Sequence, residues 1–262
     1  MKTEYRTALI TGASSGLGRG LAAWFARRGT RVFAVARRLE NLNALRDEAQ
    51  AAGGVVEPVR LDVADYQATL EKVRAIDDEC GGLDLVVANA GVGEETPGWQ
   101  FDWEKAEQVL QVNVMGAAAT LSAVLPRMVE RNQGHLVGVS SISSFRGMPK
   151  MAAYSGSKAF LSTFLESLRV DLVGTGVAVT AIHPGFVRTE MTAKNKLMPL
   201  VIEAEDASER MAKAIMRRDG EFSFPTPTAL AGKTLAMIPD GVLGRAMKAA
   251  AARRKAAKQK KG

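Results

Sequence analysis

Thr7-Ala8-Leu9-Ile10-Thr11-Gly12-Ala13-Ser14-Ser15-Gly16-Leu17-Gly18 is the stretch from which the rest of the chain is read. Thr7 to Ile10 is a short apolar run of the buried-strand kind. A helical pattern through Leu21, Trp24 and Phe25 follows the glycines and stops at Arg28-Gly29. A glycine-rich turn between a strand and a helix lets the backbone approach phosphate oxygens closely. It also aims a helix N-terminus at an anion. The spacing here is G-x3-G-x-G rather than G-x-G-x-x-G, and by itself the segment also reads as a plain tight turn.

Working outward, Arg31 to Ala36 predicts a second strand, followed directly by Arg37-Arg38. In dinucleotide-binding folds an acidic residue near this strand end binds the ribose 2′-hydroxyl, whereas an arginine accommodates a 2′-phosphate. The two arginines therefore favour NADP(H) over NAD(H); a solvated arginine pair is the competing reading. Further strands are expected at Val55 to Leu61, Leu83 to Ala88, His135 to Val139 and Val177 to Ile182. Helices are expected over about 39–52, 65–80, 102–131 (N-capped by Asp102 and interrupted near Pro126) and 152–173. A helix over about 206–218 and a last strand at Glu221 to Pro225 complete the pattern. Repeated βαβ alternation predicts an α/β fold: one doubly wound parallel sheet of about seven strands with helices on both faces. Ligands in such sheets bind beyond the carboxyl ends of the strands. Arg37, Asp62, Asn89, Ser141 and Pro184-Gly185 all fall there, with the glycine loop.

With 262 residues, 47% of them hydrophobic, the chain is long enough to bury a full core. The single cysteine, Cys80, leaves no intrachain disulfide and fits a reducing, cytoplasmic setting. The N-terminus is a poor signal peptide, and no membrane-spanning helix is expected. The net charge of +7 would suggest nucleic acid if it were spread over the domain. Eight Lys and Arg residues and no acid lie in 245–262, so residues 1–244 are one charge negative and nucleic acid is not the expected partner.

Tyr154 and Lys158 lie four residues apart in a helix-favouring run and would share one face. A nearby ammonium favours the phenolate and brings a tyrosine toward acid–base use. Such pairs also occur on ordinary solvated faces. Ser141 stands among four serines and, taken alone, could be only a polar turn.

These pieces together resemble the short-chain dehydrogenase/reductase family. The matches are TGASSGLG at 11–18, LDV at 61–63, NAG at 89–91 and NVMG at 113–116. Ser141, YSGSK at 154–158 and PGFVRT at 184–189 follow in the family order. The resemblance implies an oxidoreductase with Tyr154 as general acid/base and Lys158 lowering its pKa and binding the nicotinamide ribose. Ser141 would polarise the substrate oxygen. Asn113 would kink its helix and hold a water linking Lys158 to solvent. Gly12, Gly16 and Gly18 would line the pyrophosphate, Asp62 and Val63 the adenine, Asn89 the adenosine side, and Thr189 with the Val187 backbone the carboxamide. Ser14, Ser15, Leu17, Ala90, Gly91, Pro184 and Gly185 join the cofactor set from the same motifs. His183 reads rather as a structural strand-end residue and His135 as a strand-entry residue.

After residue 190 the resemblance thins. A mobile lid over about 190–205, with Met191, Leu197 and Met198, together with Phe145, Met148, Met151 and Phe186, predicts a lipophilic ketone, aldehyde or alcohol. The alternative is that these side chains only pack the lid. Residues 1–225 form the expected catalytic domain and 226–262 a helical, basic extension. In the extension Leu243, Ala246, Met247 and Ala250 share one face. That face suits a weak peripheral contact with an anionic membrane, or a soluble frayed tail. A homodimer through the helices at about 103–131 and 152–173 is expected. From another class, a non-catalytic nucleotide sensor or scaffold remains open on the same fold.

Overall fold

Every residue of the strand Thr7–Thr11 (β1) is buried, as are most of Arg31–Ala36 (β2). Runs apolar on both faces belong at the centre of a parallel sheet covered on two sides. The computed structural model, which describes residues 4–193, 198–247 and Ala249, places them there. The glycine turn after β1 leads into helix Gly16–Ala26 (α1), and β2 into Leu39–Ala51 (α2). Val55–Arg60 (β3), Tyr66–Glu79 (α3) and Leu85–Ala88 (β4) follow.

Where one helix was expected from Asp102 to about Arg131, the chain forms several pieces. Asp102 caps Trp103–Leu110 (α4) by accepting from the Lys105 amide at 3.2 Å. The next turn, Gln111–Gly116, is π-helical. Ala117–Ser122 (α5) and Leu125–Glu130 (α6) complete the stretch. Pro126 sits in the first turn of α6, where its missing N–H costs nothing, so the break falls before it. By length and composition Trp103–Glu130 could cross a membrane, yet over half of its most apolar window is buried against protein.

Gly134–Val139 (β5), Ala152–Asp171 (α7) and Val177–Pro184 (β6) come next. β6 runs past Ile182, so His183 and Pro184 are strand residues. They pair with Ser223 and Phe224 of the last strand. Val187–Arg188 (β7) and Ile202–Glu203 (β8) form a small parallel pair of their own. Ala204–Met216 (α8), Glu221–Phe224 (β9) and Thr226–Ala236 (α9) follow, with a further helical run over 240–247. Leu197, Lys248, Ala250 and the basic residues beyond them lie outside the described residues. The membrane-facing stripe expected in the tail is therefore described only as far as Met247.

The main sheet is parallel, in the order β3-β2-β1-β4-β5-β6-β9. Alternate side chains enter opposite layers. Ala8 and Ile10 pack with Leu21, Phe25, Leu42 and Met211 from α1, α2 and α8. Leu9 packs with Val73, Leu121, Leu161 and Leu165 from α3, α5 and α7. Each large side chain so buried contributes about 1.5–3 kcal/mol. From β1 the chain winds outward through β2 and β3, then returns to β4 on the other side. The crevice between the carboxyl ends of β1 and β4 is the switch point where a ligand fits.

Candidate active site

A cleft of about 440 Å³ opens at that crevice. Its floor is the glycine loop. Gly12 has a φ of 69°, and a Cβ there would sit 2.8 Å from both Ala90 Cα and Asn89 Nδ2. Only glycine permits this approach between the β1 and β4 turns. The Thr11 hydroxyl accepts from the Asn89 and Ala90 amides, at 3.0 and 3.1 Å, and Asn89 Nδ2 donates to the Thr11 carbonyl at 2.9 Å. These bonds lock the two strand ends together. Gly18 is not on the cleft wall. It lets α1 pack there, because a Cβ at Gly18 would lie 2.4 Å from Asn89 Nδ2 and the Gly12 carbonyl.

Ser15 precedes α1 in an extended conformation, and its side chain does not cap the helix. The first N–H groups of α1 therefore have no side-chain cap where Ser14, Ser15, Gly16 and Leu17 line the cleft. That arrangement fits a pyrophosphate. Arg37 and Arg38 line the same cleft with Asp62 and Val63. Arg37 lies 3.8 Å from Asp62. Arg38 donates to Ser14 Oγ at 3.1 Å and Ser15 Oγ at 2.8 Å, and pairs with Glu190 at 2.9 Å. These residues would hold the adenosine end of a dinucleotide.

At the other end Ser141, Tyr154 and Lys158 converge on the cleft from two elements. Ser141 Oγ accepts from the Ser143 amide at 3.1 Å, which leaves its own proton to donate. Dense packing raises the Tyr154 pKa, and a hydrogen bond from Ser141 opposes that rise. Lys158 is buried and donates to the Val139 carbonyl at 2.8 Å; burial lowers its pKa to about 8. Its Nζ is 5.8 Å from the centre of the Tyr154 ring. The Lys158 ammonium is turned toward the Val139 carbonyl, and the causes acting on the Tyr154 phenol are its desolvation and the opposing Ser141 hydrogen bond.

Asn113 lies behind the wall. Its Oδ1 accepts from the Val92 amide at 2.9 Å, and its Nδ2 donates to the Val92 carbonyl and Ser157 Oγ, each at 3.0 Å. It is held within the π-helical turn, the site expected for a kink. Pro184, Gly185, Val187, Thr189, Gly91, Ala90 and Asn89 complete the predicted lining. The Val187 carbonyl accepts from the Thr192 hydroxyl at 2.6 Å.

Of the expected substrate residues, Ser141 and Met191 line the cleft; Phe145, Met148, Met151, Phe186 and Met198 lie off its wall. Phe145 faces the His183 ring at 5.0 Å, and Met151 bridges to Thr96. His183, buried in β6, bonds to Ser162 Oγ at 3.0 Å. His135 sits between Tyr5 and Thr180 at 2.7 and 2.8 Å, a core role. Sequence reasoning missed Glu190, Thr192 and Ser140 on the wall. A carboxylate directly after PGFVRT, opposite an arginine pair, was the signal available for Glu190.

Comparison with known proteins agrees with this geometry. A family model described as short chain dehydrogenase matches residues 6–199. An uncharacterised oxidoreductase of Myxococcus xanthus is 63% identical over 238 residues, covering 90% of this chain and 94% of the relative. A short-chain dehydrogenase from Sphingobium yanoikuyae in complex with NADPH superposes with a TM-score of 0.78 at 28% identity, covering 92% of this chain and 95% of that one. A short-chain dehydrogenase/reductase from Burkholderia phymatum in complex with NAD gives 0.81 at 26% identity, covering 90% and 94%. With its fold, its glycine loop and its strand-end cleft, this chain belongs to the short-chain dehydrogenase/reductase family and is an NAD(P)-dependent oxidoreductase.

Proposed function

We propose that the protein is an NADPH-preferring carbonyl reductase, or the corresponding alcohol dehydrogenase, acting on a lipophilic ketone, aldehyde or alcohol. The observation carrying this reading is the convergence of Ser141, Tyr154 and Lys158 on the cleft that the glycine loop, Arg37 and Arg38 also line. Bound along that loop, the nicotinamide cofactor supplies or accepts the hydride.

The chain's own residues bind, orient and move a proton. The N-terminus of α1 holds the pyrophosphate, and Arg37 and Arg38 the 2′-phosphate. Tyr154 Oη gives its proton to the carbonyl oxygen in reduction and takes it back in oxidation. Ser141 donates to the same oxygen, where negative charge develops. Lys158 orients the nicotinamide ribose, and Asn113 fixes Val92 behind it.

The substrate class rests on Met191. Position 93 is glycine, and a Cβ there would lie 3.6 Å from Met191 Sδ and 3.7 Å from the Tyr154 ring. Met191 Sδ and the Tyr154 ring therefore both border Gly93, which puts a polarizable apolar side chain on the Tyr154 side of the cleft. We infer also a homodimer through α4 and α7, whose exposed Trp103, Leu110, Phe160 and Val170 leave apolar surface for a second copy.

The test is a panel of aromatic, long-chain, steroid and small polar ketones with NADPH and with NADH. Faster turnover of the bulky ketones, with NADPH, is expected. Markedly better turnover of the small polar ketones contradicts the substrate class.

A further inference from the structure

Arg146 sits in the loop between Ser141 and Tyr154, and its guanidinium is directed into the C-terminal extension. Nη1 donates to the carbonyls of Ala236 at 3.1 Å, Ile238 at 2.6 Å and, more distantly, Leu235 at 3.4 Å. Nη2 pairs with Asp240. These carbonyls end α9 and the turn after it, where a helix leaves acceptors unpaired and its dipole is negative. A planar fork of five donors suits three carbonyls and a carboxylate. The Arg146 side chain is 15% exposed whereas Asp240 is exposed, so the bonds to the carbonyls at the end of α9 rather than the ion pair carry the contact.

The same loop meets α9 at two more points. A Cβ at Gly232 would lie 3.1 Å from the Phe145 ring. Lys233 lies 5.3 Å from the centre of that ring while bonded to Glu221 at 2.9 Å. At its other end the loop fixes Ser141. The Ser143 amide donates to Ser141 Oγ at 3.1 Å, and Ser144 Oγ donates to the Ser141 carbonyl at 2.6 Å. The turn that orients the Ser141 hydroxyl is therefore clasped from outside by α9.

We propose that Arg146 is a positioning residue: by locking the end of α9 onto the loop after Ser141, it holds the Ser141 hydroxyl at Tyr154 and makes the extension up to Asp240 part of the catalytic apparatus. This rests on the reading of Ser141 and Tyr154 given above. The groups that would hold the pyrophosphate and 2′-phosphate lie on the other side of the cleft, on the turns after β1 and β2. The bonds of Arg146 go to the end of α9, the turn after it and Asp240, not to these groups nor to Lys158, Val187 or Thr189. Loss of the clasp should therefore act on the chemical step and not on cofactor affinity.

The experiment is steady-state kinetics with NADPH and the ketone that the panel selects, run on wild type, Arg146→Ala, Arg146→Lys and Ser141→Ala. Hydrogen exchange of the peptide spanning 142–146 is followed in parallel. Displacing a reacting group by about an ångström costs up to ~100-fold, so Arg146→Ala should lower kcat by about tenfold. KM for NADPH should stay unchanged, and exchange in 142–146 should quicken. Arg146→Lys keeps the charge without the fork and should recover part of the loss. Wild-type kcat and exchange in Arg146→Ala overturn the proposal, as does an equal loss of kcat and NADPH affinity with faster exchange across the whole sheet. Should Arg146→Ala fail to fold, Arg146→Lys and Asp240→Asn read the same question: a lower kcat with unchanged KM for NADPH supports it, and wild-type kcat in both overturns it. Full turnover by Ser141→Ala contradicts the catalytic reading itself. An inactive Ser141→Ala beside fully active Arg146 variants removes only the present inference.

Discussion

Arg38, just beyond the second strand, reaches across the mouth of the cleft to Glu190, its Nη1 2.9 Å from the carboxylate, while its Nη2 contacts Ser14 and Ser15. One side chain so joins the glycine loop to the segment that follows Thr189. Both partners are about half exposed, so the pair itself adds little to stability. Its weight lies in placement. A 2′-phosphate drawn to Arg37 and Arg38 must share Arg38 with Glu190.

Arg38→Ala and Arg37→Ala should each reduce the preference for NADPH over NADH by about tenfold, the worth of one charge-assisted contact. Glu190→Gln should act in the opposite direction, tightening 2′,5′-ADP while leaving 5′-AMP unchanged. Calorimetric titration with the two nucleotides measures both. An unaltered preference in both arginine variants removes the NADP(H) assignment.

Asn113→Ala would strip both bonds from the backbone of Val92 and one from Ser157. Orphaning buried polar groups costs about 1–3 kcal/mol each. The denaturation midpoint should therefore fall, and kcat with it, because the wall holding Gly91 and Val92 borders Lys158 Nζ. Wild-type kcat alongside a lowered midpoint would assign Asn113 a purely structural part.

Acid should destabilise the fold early. His135 is buried neutral, its pKa pushed down to about 3 from 6.5, and burial lowers His183 as well. Between those limits the unfolded chain binds more protons than the folded one, so stability falls as pH falls from 6.5. The full slope is about 1.4 kcal/mol per pH unit for each such histidine. Melting temperatures at pH 7.5, 6 and 5 check this, and a flat profile contradicts it.

Gly18→Ala should weaken both the fold and cofactor binding, since its Cβ would collide with Asn89 Nδ2 and the Gly12 carbonyl. Gly147→Ala meets nothing within 4 Å and is the control. Equal NADPH affinities for the two variants would show that the glycine loop tolerates what its packing forbids.

The layered sheet was legible because its signals are local. Arg31 to Ala36 is uniformly apolar after its first residue, and the glycines punctuate the helices. Features made by distant contacts were not. Within Gln111 to Gly116 the residue pattern alone reads as an ordinary helix, and only the family resemblance of NVMG pointed to a kink at Asn113. The π-helical turn coincides with Asn113 bonding across to Val92 and with Gly116 abutting the Val63 carbonyl, where a Cβ would lie 2.5 Å away. β6 gains His183 and Pro184 only by pairing with β9, whereas the interruption expected near Pro126 is present, just before it. In the site, Ser141, Tyr154 and Lys158 could be named from motif spacing. The direction of Lys158 Nζ toward Val139, and the grip of Arg146 on α9, depend on the fold and had no sequence signal.

Proton exchange by Tyr154 is the central claim, and Tyr154→Phe tests it most directly. The substitution removes one oxygen and keeps the ring, so NADPH affinity and melting temperature should stay at wild-type values. Ketone reduction measured with NADPH should fall by about 100-fold or more, the usual worth of a positioned general acid. Equal rates for wild type and Tyr154→Phe would contradict the account.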